Sequence, residues 1–305
     1  MINFSIIIPH KNSVDLLKRC LNSIPLREDI EIIVVDDDSN LSDEDYAKLN
    51  SFRNTCVKII INHESKGAGH ARNIGLSEAT GKWLIFSDAD DFFAEDAFEI
   101  FNSHVDDKSE IIYFLSDHVY SDTMQLFDNN CMGLNDKVKA YDGTISTEDK
   151  LKYGICVPWG RMFSGSLIKE NHISFDEVRY GNDTMFAMRT AYKAQKVAVD
   201  LRTVYYFTVN RGSLTHRINK ESIACRMEVD LRKNKMMREI GKPHCQVSVT
   251  PHIYQASKFG LAYAWSLIRL SLSYGFNPFK GTLGWIIDHY KHLEESKARK
   301  RYEIK

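Results

Sequence analysis

Six aspartates in two tight groups carry the most chemistry in this sequence. Asp36-Asp37-Asp38 follows the apolar run Ile32 to Val35, and Asp88-Ala89-Asp90-Asp91 follows Leu84 to Phe86. Carboxylates crowded together repel one another unless something positive lies between them. No set of His and Cys stands beside them to favour a softer metal, so the ion that suits these oxygens is a hard divalent one, Mg²⁺ or Mn²⁺. Such ions are held by one or two carboxylates together with substrate phosphates, with water completing the shell. These residues point to a metal–diphosphate site. A lone aspartate after a strand is an ordinary N-cap or turn residue; two groups with surplus carboxylates, expected at the exits of neighbouring strands, are what argues for more.

The elements that must position these groups alternate along the first hundred residues. Phe4 to Ile8, Ile30 to Val35, Val57 to Ile61, Trp83 to Phe86 and Ile111 to Leu115 are continuous apolar runs, as expected of strands covered on both faces. Between them, Val14, Leu17, Leu21 and Ile24 recur at helical spacing behind Asn12 or Ser13 as N-cap, and Ala68 to Ala79 forms a helix ending near Gly81. Ala94 to Phe101 is a further helix. The pattern predicts βαβ units and a parallel sheet with helices on both faces, in which ligands bind beyond the carboxyl ends of the strands.

Residues 117 to 150 are polar and turn-rich, which predicts an irregular excursion or a small antiparallel flap. Regular character returns at Val157 to Phe163, in a helix after Gly181, and in the strand-like run Thr203 to Val209. From about residue 218 the pattern is helical, with Glu221 to Ile240 and Gln255 to Ser271 as the helices. The expected division is a domain of residues 1–217 and a helical region of 218–305.

Composition narrows the function classes. The 305 residues are 43% hydrophobic and 27% charged, enough for a sizeable core and against wholesale disorder. A formal net charge of −1 argues against a protein that grips nucleic acid through global basicity. Six scattered cysteines without a CxxC pair argue against a disulfide scaffold, and a reducing, cytoplasmic setting is expected. The most apolar late segment, Phe259 to Ile268, is about half the ~20 residues a spanning helix needs, so no integral membrane protein is expected.

Between the two acidic groups lies Lys66-Gly67-Ala68-Gly69-His70-Ala71-Arg72-Asn73-Ile74-Gly75, a glycine loop opening a helix, which suits an anion. A dinucleotide fingerprint would need glycine where Arg72 stands, and no GK[ST] tail is present for a P-loop. Lys66 and Arg72 supply positive charge, although Lys66 serves equally as a solvated surface residue.

Ser5-Ile6-Ile7-Ile8-Pro9, Ile33-Val34-Val35-Asp36-Asp37-Asp38-Ser39, the Gly69 to Gly75 segment and Phe86-Ser87-Asp88-Ala89-Asp90-Asp91, in this order, resemble the successive signatures of family 2 glycosyltransferases, which have the GT-A fold. The resemblance is dense over the first hundred residues and resumes at Trp159-Gly160-Arg161 and Tyr180-Gly181-Asn182-Asp183. It implies a nucleotide-binding part over about residues 1–116 and an acceptor-binding part over about 150–217. It implies further that Pro9 and His10 border the nucleobase and that Asp37 accepts from its ring N–H. Arg72 would contact the base or its neighbouring phosphate, with Lys66 nearby. Asp88-Ala89-Asp90 would be the DxD element, Asp88 toward the ribose and Asp90 on the metal, with Asp91 and His216 as weaker additional ligands. The family usually writes glycine where Asp38 stands, so the turn that places Asp37 differs here.

On the acceptor side the family pattern is most often Glu-Asp, with the aspartate as general base. Here it reads Asn182-Asp183: the base is assigned to Asp183 and the supporting carboxylate is missing. Without the resemblance, Asp183 reads first as a residue stabilising the first turn of the helix it opens. Trp159 is either a stacking wall for a sugar ring or a core residue.

The reading is a metal-dependent, inverting glycosyltransferase that moves one sugar from a nucleotide-diphosphate sugar, UDP-linked by preference, to a glycan or lipid-linked acceptor in surface polysaccharide synthesis. A sugar nucleotidyltransferase is the rival enzyme, but its glycine-rich, basic loop after the first strand is not matched by Pro9-His10-Lys11-Asn12. A nucleotide-binding protein without transfer activity is the other, with Asn182 as its footing. The C-terminal region is aromatic-rich, and residues 291–305 hold six Lys/Arg against three Glu. That composition suits either peripheral contact with the inner face of a cell membrane or helices packed on the first domain.

Overall fold

The structure, a computed structural model, describes residues 1–54, 56–126, 133–209, 218–284 and 286. In the first half, β1 (Phe4–His10), α1 (Val14–Asn22), β2 (Ile30–Asp37), α2 (Asp43–Ser51), β3 (Val57–Asn62), α3 (Ala68–Glu78) and β4 (Trp83–Phe86) alternate as the apolar runs predict. The short β5 (Phe92–Phe93), α4 (Ala97–Ser103) and β6 (Ile111–Tyr120) follow. Next come α5 (Leu134–Lys139), α6 (Ile145–Gly154), β7 (Arg161–Ser164), α7 (Gly165–Glu170), α8 (Thr184–Lys193) and β8 (Val197–Val209). The described C-terminal helices are α9 (Lys220–Glu239), α10 (Thr250–Ser257) and α11 (Leu261–Ser273).

The strands form one mixed sheet in the order β3-β2-β1-β4-β7-β6-β8-β5. Strands β3, β2, β1 and β4 run parallel, with Ile7 opposite both Ile33 and Phe86. Strand β7 enters antiparallel between β4 and β6, while β6 and β8 are again parallel. The two acidic groups leave the same end of the sheet from β2 and β4, with β1 between them, a span of about 10 Å from strand spacing. They therefore flank β1 instead of leaving adjacent strands. Helix α3 lies close over β1 because Gly75 lacks a side chain: a Cβ there would meet Ile7 Cγ2 at 2.5 Å.

A main core of Ile, Val and aromatic residues runs from Phe4 to Tyr205 on both sides of the sheet. A second cluster, including Ile223, Met227, Leu231, Ile253 and Leu267, binds the C-terminal helices to one another.

Three expectations need correction. The segment after Asp117 is antiparallel only where Val119 bridges Leu126, and it is more regular than expected: β6 extends to Tyr120, and two helices lie beyond, α5 burying Leu134 and Val138, and α6 burying Leu151. Their brevity and polar outer faces hide the period. The single helix expected over Gln255 to Ser271 is two, broken at Gly260, whose φ of +113° is open to glycine. The strand expected from Val157 starts only at Arg161, after Gly160 turns with φ +68° where a Cβ would meet Ser116 Oγ at 2.3 Å.

Candidate active site

At the exit of β2 successive aspartates take three different roles. Asp36 is buried and accepts from His10 Nδ1 (2.6 Å), the Ser39 hydroxyl (2.5 Å) and the Ser39 N–H (3.1 Å). Burial alone would raise its pKa, but these donors together outweigh it and hold the carboxyl below the ordinary aspartate value. His10 has its second ring nitrogen, Nε2, bonded by the Ser13 N–H at 3.2 Å. The imidazole expected to border the nucleobase is thus a buried brace with both nitrogens engaged. Pro9, half-buried beside it, opposes Val35 in the sheet.

Asp37 is 4% exposed and sits where three strands end. Its Oδ2 accepts from the Gly67 N–H (2.9 Å) and its Oδ1 from Asn62 Nδ2 (3.1 Å). Lys11 Nζ lies 3.7 Å from Oδ2 and donates to the Asp37 carbonyl (2.7 Å) and to Ser65 Oγ (2.6 Å). The glycine that the family writes after this residue is replaced by Asp38 with φ +58°, a left-handed conformation that aspartate tolerates better than most residues. The turn is kept without the glycine.

From the glycine loop, Gly67 at φ +92° caps α3. Gly69 lets the first turn of α3 touch the 176–182 segment: a Cβ there would lie 2.2 Å from the Asp176 carbonyl oxygen and 2.9 Å from Asn182 Cβ. One turn on, Arg72 is 5% exposed and its guanidinium joins the two halves. Nη2 donates to Asp88 Oδ1 at 2.5 Å and Nη1 to Asn182 Oδ1 at 2.8 Å, over the face of Phe175.

At the exit of β4, Asp88 and Asp90 are half-buried on either side of buried Ala89. Arg72 holds Oδ1 of Asp88, and among the described residues no hydrogen bond reaches its Oδ2. Arg19 Nη2 donates to the Asp90 carbonyl at 2.5 Å. Asp91 was expected as a further metal ligand; instead it is wholly buried, accepting from the Tyr205 hydroxyl at 2.7 Å and from the Thr208 N–H at 2.7 Å. Burial first, then the charges of Asp90 and Asp88, push its carboxyl well above the ordinary range. The same Tyr205 hydroxyl receives the Asp88 N–H at 3.0 Å, so one phenol supports the DxD backbone and the buried carboxylate together.

This donor set suits a hard divalent cation. Asp88 and Asp90, two residues apart at the exit of β4, offer only oxygens. A separate Asp149, His244 and Cys245 group also has metal-ligand atom types within 4.8 Å of one another, but it joins α6 to the turn after α9. There the Lys242 ammonium already neutralises Asp149 at 2.9 Å.

Asp183 is half-buried at the start of α8, immediately after the residue Arg72 holds. Burial pushes its carboxyl up, with the Arg72 charge working in the opposite direction. That combination keeps a carboxylate basic while a cation stands near. Arg161 adds a second positive charge felt by Asp183; it is 1% exposed and stacks over Tyr113 and Phe163.

The structure thus brings together Asp37, Arg72, Asp88, Asp90 and Asp183 along one edge of the sheet. It does not bring Lys66, whose ammonium is on Glu64 at 2.7 Å with half the side chain exposed. Trp159 is 4% exposed and stacks on Tyr205 at 5.3 Å, which makes it a core residue. His216 lies outside the described residues, as do Trp285 and residues 291–305. Sequence reasoning missed Lys11, Arg19 and Tyr205. Lys11, directly after the first strand, carried a positional signal; the partners of Arg19 and Tyr205 lie 71 and 114 residues away and carried none.

Comparison with known proteins places these features in context. The family description "Glycosyl transferase family 2" matches residues 5–171. A poly(ribitol-phosphate) beta-glucosyltransferase of Bacillus spizizenii is 29% identical over 68% of this chain and 32% of its own length. The glycosyltransferase GlyA of Streptococcus pneumoniae is 24% identical over 69% of this chain and 31% of its own. The chain therefore spans about a third of these relatives. A cholesterol galactosyltransferase of Borreliella burgdorferi is 24% identical over 95% of this chain and 84% of its own length. Among solved structures, S. aureus TarS 1-349 in complex with UDP-GlcNAc aligns with a TM-score of 0.62 at 20% identity, covering 98% of this chain and 92% of that one. The mannosyltransferase PcManGT of Pyrobaculum calidifontis, in complex with GDP-Man and Mn2+, aligns with a TM-score of 0.56 at 15% identity, covering 99% and 85%. The fold is that of these enzymes, with the C-terminal helices included in the alignment.

Proposed function

The chain belongs to glycosyl transferase family 2, and from that premise we propose that it moves one sugar from a nucleotide-diphosphate sugar to a hydroxyl of a glycan or lipid-linked acceptor, with inversion at the anomeric carbon, in the synthesis of a surface polysaccharide. The observation that carries this reading is Arg72: one guanidinium bonds the DxD aspartate, Asp88, and the residue preceding the base, Asn182. Donor and acceptor halves meet at that group, where charge develops as a sugar leaves its diphosphate.

The division of labour follows from the chemistry. Asp37, backed by Asn62 and Gly67, offers a rigid carboxylate to the ring N–H of the base. Asp88 and Asp90 would hold Mn²⁺ or Mg²⁺, which supplies Lewis-acid stabilisation of the diphosphate. Arg72 adds fixed positive charge beside the leaving group. Asp183 takes the proton of the acceptor hydroxyl, and its burial suits it to that task. A base and a leaving-group clamp on opposite faces of the anomeric centre make a single displacement, the inverting arrangement. A uridine donor is favoured because the TarS fold neighbour is described with UDP and UDP-GlcNAc.

The test is a transfer and hydrolysis screen across UDP-, GDP- and dTDP-sugars with and without Mn²⁺, paired with thermal shift. Turnover with one donor and a ligand-dependent rise in Tm is expected. Binding without any turnover would favour a nucleotide-binding protein that lacks the supporting carboxylate at Asn182. Synthesis of a nucleotide sugar from a nucleoside triphosphate would favour a nucleotidyltransferase.

A further inference from the structure

We propose that the outer face of α11 and the segment after it dock the protein onto an anionic lipid surface, independently of which sugar is transferred. Sixteen large hydrophobic side chains are exposed among the described residues, and eight of them fall between Tyr254 and Ile286. On α11 the buried side, Ala264, Leu267 and Ser271, faces the other C-terminal helices. On the opposite side Leu261, Trp265, Arg269 and Leu272 form one stripe at i, i+4, i+8 and i+11, with Leu261 76%, Trp265 60% and Leu272 57% exposed. Phe279 (56%) and Leu283 (72%) extend the apolar surface along the chain. Exposed apolar side chains concentrated in this way mark an interaction surface.

The charge pattern selects the partner. Between Glu239 and Asp288 the sequence has no Asp or Glu and four Lys/Arg: Lys242, Lys258, Arg269 and Lys280. Lys242 is committed to Asp149, whereas Lys258, Arg269 and Lys280 make no ion pair among the described residues. A second copy of this surface would bring like charges face to face, and the basic stretch 291–305 would meet the same repulsion. An anionic headgroup layer is the complement. A helix of 13 residues is about 20 Å long, too short to span but suited to lie in the interface with Trp265 at headgroup depth and Arg269 extended toward phosphates. No helix among the described residues is long and apolar enough to cross a membrane.

The experiment is co-sedimentation of the full chain with vesicles of phosphatidylcholine alone or with about 30% phosphatidylglycerol, at low and high salt. Binding to the anionic vesicles that weakens with salt is expected. Leu261→Gln/Trp265→Ser/Leu272→Gln should lower partitioning about tenfold with unchanged circular dichroism, and Lys258→Glu/Arg269→Glu/Lys280→Glu should remove the preference for anionic lipid. In a Trp285→Phe background, brominated lipid should quench Trp265, since Trp83 and Trp159 are buried. The proposal is overturned by no vesicle binding, by binding that both triple variants retain, or by a dimer in sedimentation velocity that the first triple variant abolishes while vesicles leave it intact.

Discussion

Arg72 Nη1 donates to Asn182 Oδ1 at 2.8 Å, across a sequence separation of 110 residues. Asn182 stands where the family most often has glutamate, and the amide oxygen keeps the acceptor that the guanidinium needs. Arginine suits this place because its planar fork serves Asp88 with one nitrogen and Asn182 with the other.

Arg72→Lys should therefore keep the charge and lose the bridge. Transfer is expected to fall about a hundredfold, and Asn182→Ala, which removes one charge-assisted bond, should cost about tenfold. Steady-state kinetics alongside donor calorimetry checks this; a fully active Arg72→Lys enzyme contradicts it.

Asp183→Asn should reduce turnover by about a thousandfold while donor binding in a calorimeter is retained. Because the folded-state pKa of Asp183 is raised, its ionised form is disfavoured by folding at neutral pH. Two consequences follow. The acid limb of kcat/KM should lie above the ordinary aspartate value, and Asp183→Asn should melt higher than the parent at pH 7. A lower Tm, or loss of donor binding, counts against the assignment.

Gly69→Ala puts a Cβ against the Asp176 carbonyl and Asn182. Backbone must move, at a cost of about 1–3 kcal/mol, and the 176–182 segment is displaced from Arg72. Denaturant melts should show the destabilisation, and the kinetic defect should resemble that of Asn182→Ala. Unchanged stability would mean the loop yields freely.

Asp36 titrates with the opposite sign. Its folded-state pKa is depressed, so its stabilising contribution is present above the unfolded value of about 3.9 and is lost as pH falls through the folded value. Melts followed from about pH 7 to about pH 3 should show the parent losing stability at the acid end. Asp36→Asn should lose less over that window while being weaker at pH 7. Parallel curves would argue against the His10–Asp36–Ser39 network as the cause.

Much of the scaffold was legible in the residues alone. Ile-rich runs such as Ile6-Ile7-Ile8 and Ile32 to Val35 announce buried parallel strands, and Gly67 and Gly69 announce a tight entry to α3, because periodicity and turn chemistry act between near neighbours. Their order was sufficient to send Asp36–Asp38 and Asp88–Asp91 to one sheet edge. Only the tertiary structure decided which aspartate does what: Asp36 turns to His10, Asp91 to Tyr205, Lys66 to Glu64 at the surface, and Lys11 stands beside Asp37. It likewise decided that α11 buries Leu267 and leaves Trp265 in the open. Partners such as these lie tens of residues apart, and which of two adjacent side chains reaches them is settled by how the strands and helices pack, a quantity that no local pattern encodes.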